Sequence, residues 1–168
     1  FIMMNKSDVL DGAAGTNDTL DINKAFVLGG IEVDLSSTTN QVTTFNGSAN
    51  TAVQKGFENV DVSGVTGSFG AQITAISTGS TITGTANADV ITGGVGADTI
   101  IINTGTVGDS DIMDGGAGAD TLSIAAGLTA TIDCDTDIVN VETITLGVAS
   151  TVILTGQTEA FTITGSTG

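Results

Sequence analysis

The chain has 168 residues, nineteen Asp and Glu against three Lys, no Arg or His, and a formal net charge of -16. Such a balance excludes a binder of nucleic-acid phosphates, which needs clustered cations, and argues against docking on an anionic membrane. A mean hydropathy of +0.35 is too apolar for a disordered acidic tail, the length suffices for one continuous core, and no apolar run approaches the 18 residues that read as a membrane span.

From the N-terminus, Ile2-Met3-Met4-Asn5 reads as a strand that aligns with Ile100-Ile101-Ile102-Asn103. It is too short for the apolar part of a signal sequence. Ser7-Asp8-Val9-Leu10-Asp11-Gly12 and Gly15-Thr16-Asn17-Asp18-Thr19-Leu20 then form a partial loop at 8–21, with Asp8, Asp11, Asn17 and Asp18 as candidate cation ligands. Ala25-Phe26-Val27-Leu28, Ile31-Glu32-Val33-Asp34-Leu35 and Val60-Asp61-Val62 are β-branched or alternate polar with apolar, and predict strands. Segment 36–56 is polar and rich in Asn, Ser and Thr, and reads as an excursion or long loop. No amphipathic helical stretch of ten residues occurs. The absence of Pro suits an unbroken strand ladder.

The segment 84–123 repeats one nine-residue phrase. Gly93-Gly94-Val95-Gly96-Ala97-Asp98-Thr99-Ile100-Ile101 and Gly115-Gly116-Ala117-Gly118-Ala119-Asp120-Thr121-Leu122-Ser123 are intact copies. Residues 84–92 (GTANADVIT) abut the first copy, with Asn87 at the third glycine's place; residues 106–114 (TVGDSDIMD) run into the second and keep Asp111 in register, with Asp109 close by. Glycines at the first, second and fourth places permit tight turns with positive φ, and such turns can present carbonyl oxygens. The sixth-place aspartate adds an anionic oxygen, and calcium takes six to eight oxygens in a flexible cage. The eighth residue (Ile91, Ile100, Met113, Leu122) should face inward, since side chains alternate along a strand. Asp89, Gly93, Gly94, Gly96, Asp98, Asp109, Asp111, Gly115, Gly116, Gly118 and Asp120 are therefore candidate metal ligands, the glycines through their backbone.

The pattern G-G-x-G-x-D-x-U-x, with U a large apolar residue, resembles the RTX family (repeats-in-toxin) of secreted bacterial proteins, and most of all its surface-layer members. That resemblance implies an all-β, right-handed parallel β-roll or β-helix solenoid with several Ca2+ ions in its turns. It pairs Asp89 with Asp111 and Asp98 with Asp120 across stacked loops. One continuous solenoid is expected: a first unit at 1–83, the β-roll core at 84–123 and a shorter second unit at 124–168.

Residues 57–62 match 141–146, and 80–85 match 161–166, so the chain holds two large repeats. Both ends fall inside the repeat pattern, which predicts continuation in a longer chain or head-to-tail docking of copies into a filament or lattice. Cys134 alternates with Ala130 and Ile132 and reads as a small buried apolar residue. Asp133-Cys134-Asp135-Thr136-Asp137 lacks the glycine and glutamate of an EF-hand loop and reads as a solvated acidic face, with an accessory calcium site as the alternative. The Thr-x-Thr pairs resemble arrays on ice-binding solenoids, but their spacing is irregular and exposed strands favour Thr anyway.

No His, Arg, Tyr or Trp is present, and no Ser has a plausible base, so the chain is not expected to be an enzyme. The expectation is a calcium-dependent structural subunit of an extracellular bacterial surface layer or filament, with calcium, other copies of itself and cell-surface polysaccharide as partners. The alternative is a non-catalytic module of a secreted adhesin or hydrolase.

Overall fold

A computed structural model describes residues 2–3, 5–26, 28–103, 111–132 and 136–166. Cys134, Asp109, Asp133 and Asp135 lie outside the described residues, so the expectations placed on them have no structural counterpart here. The described chain is all-β, without a helix, and winds as a mostly parallel solenoid. No helix among the described residues is long and apolar enough to cross a membrane.

Two sheets carry the coils. One has eight strands in the spatial order Ile2–Met3, Thr19–Ile22, Asn59–Asp61, Thr81–Thr83, Thr99–Ile102, Thr121–Ile124, Thr143–Leu146 and Thr162–Gly165. The other runs Ile138–Val139, Ile112–Asp114, Val90–Thr92, Ala71–Thr74, Ile31–Asp34, Val42–Phe45 and Ser48–Ala49. The first sheet passes through the stretches 1–83, 84–123 and 124–168 without a break.

Inward positions form continuous apolar ladders. Leu20, Val60, Ile82, Ile100, Leu122 and Ile144 follow one another in register, as do Val33, Ile73, Ile91, Met113 and Ile138, and all are buried. The four eighth-place residues of the nonapeptides are all among them. Each such side chain contributes about 1.5–3 kcal/mol by leaving water, and only stacking makes that burial possible. Facing outward, Thr81, Thr99, Thr121, Thr143 and Thr162 align in one column. Their unequal sequence spacing is absorbed by turns, so the ladder is regular although the sequence is not.

Three expectations need correction. Segment 36–56 is not a plain loop: Val42–Phe45 pairs antiparallel with Ile31–Asp34, and Phe45 pairs with Ser48 across Asn46-Gly47. Both turn residues have positive φ (53° and 70°), the backbone that a two-residue hairpin turn of this twist requires. The N-terminal strand exists, but its register is one residue off the expected alignment. Ile2 pairs with Asp21, and the same column continues through Asp61 and Thr83 to Ile101 rather than to Ile100. Met3 is thereby buried and Ile2 exposed, because a one-residue slip exchanges the two faces of a strand. Asp137 is not solvated; it is only 5% exposed, in the turn that leads into Ile138–Val139.

Candidate metal centre

The sixth nonapeptide position immediately precedes a strand, and the strands pair in register one coil apart. That arrangement stacks the aspartates. In the eight-stranded sheet the Ser80 N–H donates to Asp98 Oδ1 at 2.6 Å, the Asp98 N–H to Asp120 Oδ1 at 2.7 Å, and the Asp120 N–H to Glu142 Oε2 at 2.7 Å. In the second sheet the Ala71 N–H donates to Asp89 Oδ1 at 2.7 Å and the Asp89 N–H to Asp111 Oδ1 at 2.9 Å. The pairs Asp89/Asp111 and Asp98/Asp120 thus lie together. Sequence spacings of 18 and 22 residues both close one coil.

All four of these aspartates are buried. Their second oxygens are treated differently. Asp89 Oδ2 accepts the Thr85 N–H at 2.7 Å, and the Thr85 hydroxyl donates to Oδ1 at 2.8 Å. Asp98 Oδ2 accepts the Gly94 N–H at 2.9 Å. In the third loop the equivalent donor is turned away: Gly116 has a φ of 86°, and its N–H goes to Asp114 Oδ1 at 2.9 Å. Asp120 Oδ2 is left without a hydrogen-bond partner although Asp120 is 1% exposed.

The glycines serve mainly for close approach. Gly93, Gly94 and Gly96 do not have the positive φ expected of them, whereas Gly116 and Gly118 do. A Cβ on Gly93 would meet the Gly115 carbonyl oxygen and lie 2.9 Å from Asp98 Oδ2; one on Gly115 would meet the Asn140 carbonyl oxygen and lie 2.9 Å from Asp120 Oδ2. The loops stack so tightly that a backbone carbonyl and a carboxylate converge where a side chain would begin. Gly94 and Gly96 are likewise overlain, by Ile76 and by the turn at Thr78 and Gly79, and Gly118 by the Gly96 carbonyl.

Burial pushes the Asp120 carboxyl above the ordinary carboxylate value; the Asp98 N–H opposes this, and the charges of Asp98, Glu142 and Asp114 add to the rise. Burial raises Asp89 too, against hydrogen bonds from Ala71 and Thr85. Among the described residues no three His, Cys, Asp or Glu side chains converge as a metal cage. What the loops offer instead is one or two carboxylates per step together with backbone oxygens. An oxygen-only donor set with an orphaned buried carboxylate oxygen fits a hard divalent cation.

The partial loop at 8–21 is built on the same plan but is more open. The Asp18 N–H donates to Glu58 Oε2 at 2.9 Å, Asn17 Oδ1 accepts from the Asn59 side chain at 3.1 Å, and Asp8 Oδ2 accepts the Asn5 N–H at 3.1 Å. Asp11 instead pairs with Lys55 at 3.3 Å and accepts the Ala13 N–H at 2.8 Å. These contacts hold its carboxyl below the ordinary value, the Ala13 bond foremost. Glu58 and Glu142 were not among the candidate ligands. The signal for them was present: each immediately precedes a strand that aligns with the nonapeptide strands, but neither follows a Gly-rich loop.

Compared with known proteins, no family model matches the chain, and no curated protein or solved structure matches it either.

Proposed function

We propose that the chain is a calcium-dependent structural segment of an extracellular bacterial assembly, a surface layer or a filament, with several Ca2+ ions bound in its stacked Gly-Asp loops. The observation that carries this reading is the column of carboxylates running from buried Asp98 through buried Asp120 to the exposed Glu142, in which Asp120 Oδ2 has no partner. Buried carboxylates without a countercharge are costly, and the three lysines, at positions 6, 24 and 55, all lie outside the 84–123 segment in sequence. A bound divalent cation supplies the missing charge and links binding to folding. The RTX-like nonapeptides support the choice of calcium and of an extracellular setting.

Self-association is part of the same reading. Thr162–Gly165, at one edge of the eight-stranded sheet, is exposed along its length, and Ile163 faces solvent. An exposed strand edge is a template for a further parallel strand. Circular dichroism in EGTA and then in millimolar calcium, followed by light scattering and imaging, tests the proposal. Calcium-dependent β-structure and calcium-dependent growth of particles are expected. A β-spectrum indifferent to EGTA, together with a monomer in calcium, overturns it.

A further inference from the structure

The solenoid contains the same step twice, and the two copies differ in where a positive charge can come from. In the first, Gly12 lies under the Gly56 carbonyl, Gly56 has a φ of 74°, and the Asp18 N–H donates to Glu58. In the second, Gly115 lies under the Asn140 carbonyl, Asn140 has a φ of 53°, and the Asp120 N–H donates to Glu142. Beside the first step, the Lys55 ammonium reaches Asp11 at 3.3 Å. At the second, the register places Val139 opposite Asp114, and Asp114 Oδ1 instead takes the neutral Asn140 amide at 2.8 Å. The second step therefore keeps three carboxylates, of Asp114, Asp120 and Glu142, and has no ammonium. It is also the step at which Asp120 Oδ2 is buried and unpartnered.

We propose that a divalent cation of the calcium class binds between the loop at 115–120 and the turn at 140–142, one coil beyond the last nonapeptide. Asp120 Oδ2, the Asn140 carbonyl oxygen and the Glu142 carboxylate are its protein ligands, and water completes the shell. The Asn140 carbonyl and Asp120 Oδ2 already converge over Gly115, as the Gly115 carbonyl and Asp98 Oδ2 converge over Gly93. Asn140 stands where Gly56 stands in the first step, and both take the left-handed backbone, which Asn tolerates. A motif search for Gly-Asp repeats passes over the site, since only one of its walls is a nonapeptide.

This inference rests on the proposal that the chain binds calcium, and the test separates the two. Side-chain carboxyl 13C resonances are followed during a calcium titration of the full chain, alongside bound calcium counted by equilibrium dialysis for wild type, Glu142→Gln and Asp98→Asn. The Glu142 and Asp120 carboxyl signals should shift with calcium while Glu32, an exposed acid of the second sheet, stays still. Glu142→Gln should bind one ion fewer per chain and still respond at Asp98. Shifts at Asp98 without a shift at Glu142 in wild type overturn the extra site and leave the nonapeptide sites standing. No bound calcium and no shift at any carboxylate overturns both. The wild-type signals decide the matter even if the Glu142→Gln chain fails to fold.

Discussion

The hairpin segment and the acidic columns both bury polar side chains, and they satisfy them by different chemistry. At the hairpin, Gln41 Nε2 donates to the Leu35 and Phe57 carbonyls at 2.8 Å each, while its Oε1 accepts the Phe57 N–H at 3.0 Å. Asn50 Nδ2 donates to the Val42 carbonyl at 2.8 Å and to Gln54 Oε1 at 2.5 Å, and Gln54 Nε2 donates to the Asp8 carbonyl. Of these amide atoms, Asn50 Oδ1 is left without a partner. An amide both donates and accepts, so a small group of them closes on itself without charge. A carboxylate only accepts. The columns at Asp89, Asp98, Asp111 and Asp120 find backbone N–H donors, yet charge accumulates with each coil. The hairpin end should therefore hold its structure alone, whereas the stretch from 84 to 146 should need a cation.

The strongest way to break this contrast is to remove the charged oxygens. Asp98→Ala together with Asp120→Ala should abolish most of the calcium-induced gain in stability. Each single change should weaken calcium binding by at least the roughly tenfold typical of losing an outer partner of a metal site, read by titration calorimetry. Undiminished calcium binding by the double variant would contradict the assignment.

A smaller effect of opposite character belongs to the hairpin. Gln41→Ala removes the amide's hydrogen bonds to the Leu35 and Phe57 carbonyls and from the Phe57 N–H, and should cost about 1–3 kcal/mol in denaturant unfolding. That loss should be the same with and without calcium.

Acidity sharpens the comparison further. In the folded state burial holds the carboxyls of Asp89 and Asp120 above the ordinary carboxylate value. Their ionisation therefore opposes folding at neutral pH. Without calcium, that penalty is relieved as pH falls through their raised values toward the ordinary carboxylate value, and these two groups make the apo chain more stable. With calcium the slope should reverse, because protons displace the ion. Asp11 pulls the other way, its lowered value contributing stability that is lost in acid, but it is exposed and its share is small. Urea midpoints measured from pH 7 to 4.5 in EGTA and in calcium check the two slopes; parallel slopes would contradict the account.

The smallest effect is expected at Gly127, whose φ is 76° and whose Cβ would touch nothing within 4 Å. Gly127→Ala should cost about 1 kcal/mol through backbone strain, with calcium binding unchanged in titration calorimetry.

The pairs Asp89/Asp111 and Asp98/Asp120, which the RTX resemblance implied, lie together because the sixth residue meets the start of a strand and strand pairing does the rest. The inward row of Ile91, Ile100, Met113 and Leu122 followed from the same period. What the spacing could not supply was the partner of a residue outside the repeat. Glu142 joins the column by register alone, and Asp137 is buried by the coil it belongs to. The hairpin was missed for another reason: the polar composition of 36–56 outweighed Asn46-Gly47, a local turn signal that fixes a two-residue hairpin. Gly93, Gly94 and Gly96 were assigned to the right places for a reason, positive φ, that holds only at Gly116 and Gly118 of the second copy. Their common requirement is the close stacking of coils, which no single repeat displays.

Hydrogen exchange resolved along the chain, in EGTA and in millimolar calcium, tests the central contrast most directly. The account predicts that calcium slows the amides of Asp89, Asp98 and Asp120 and of the strands that follow them by orders of magnitude, while the amides of Val42–Phe45 and of Phe57 change little. Equal protection of both regions in EGTA, or a calcium effect confined to the hairpin, would contradict it.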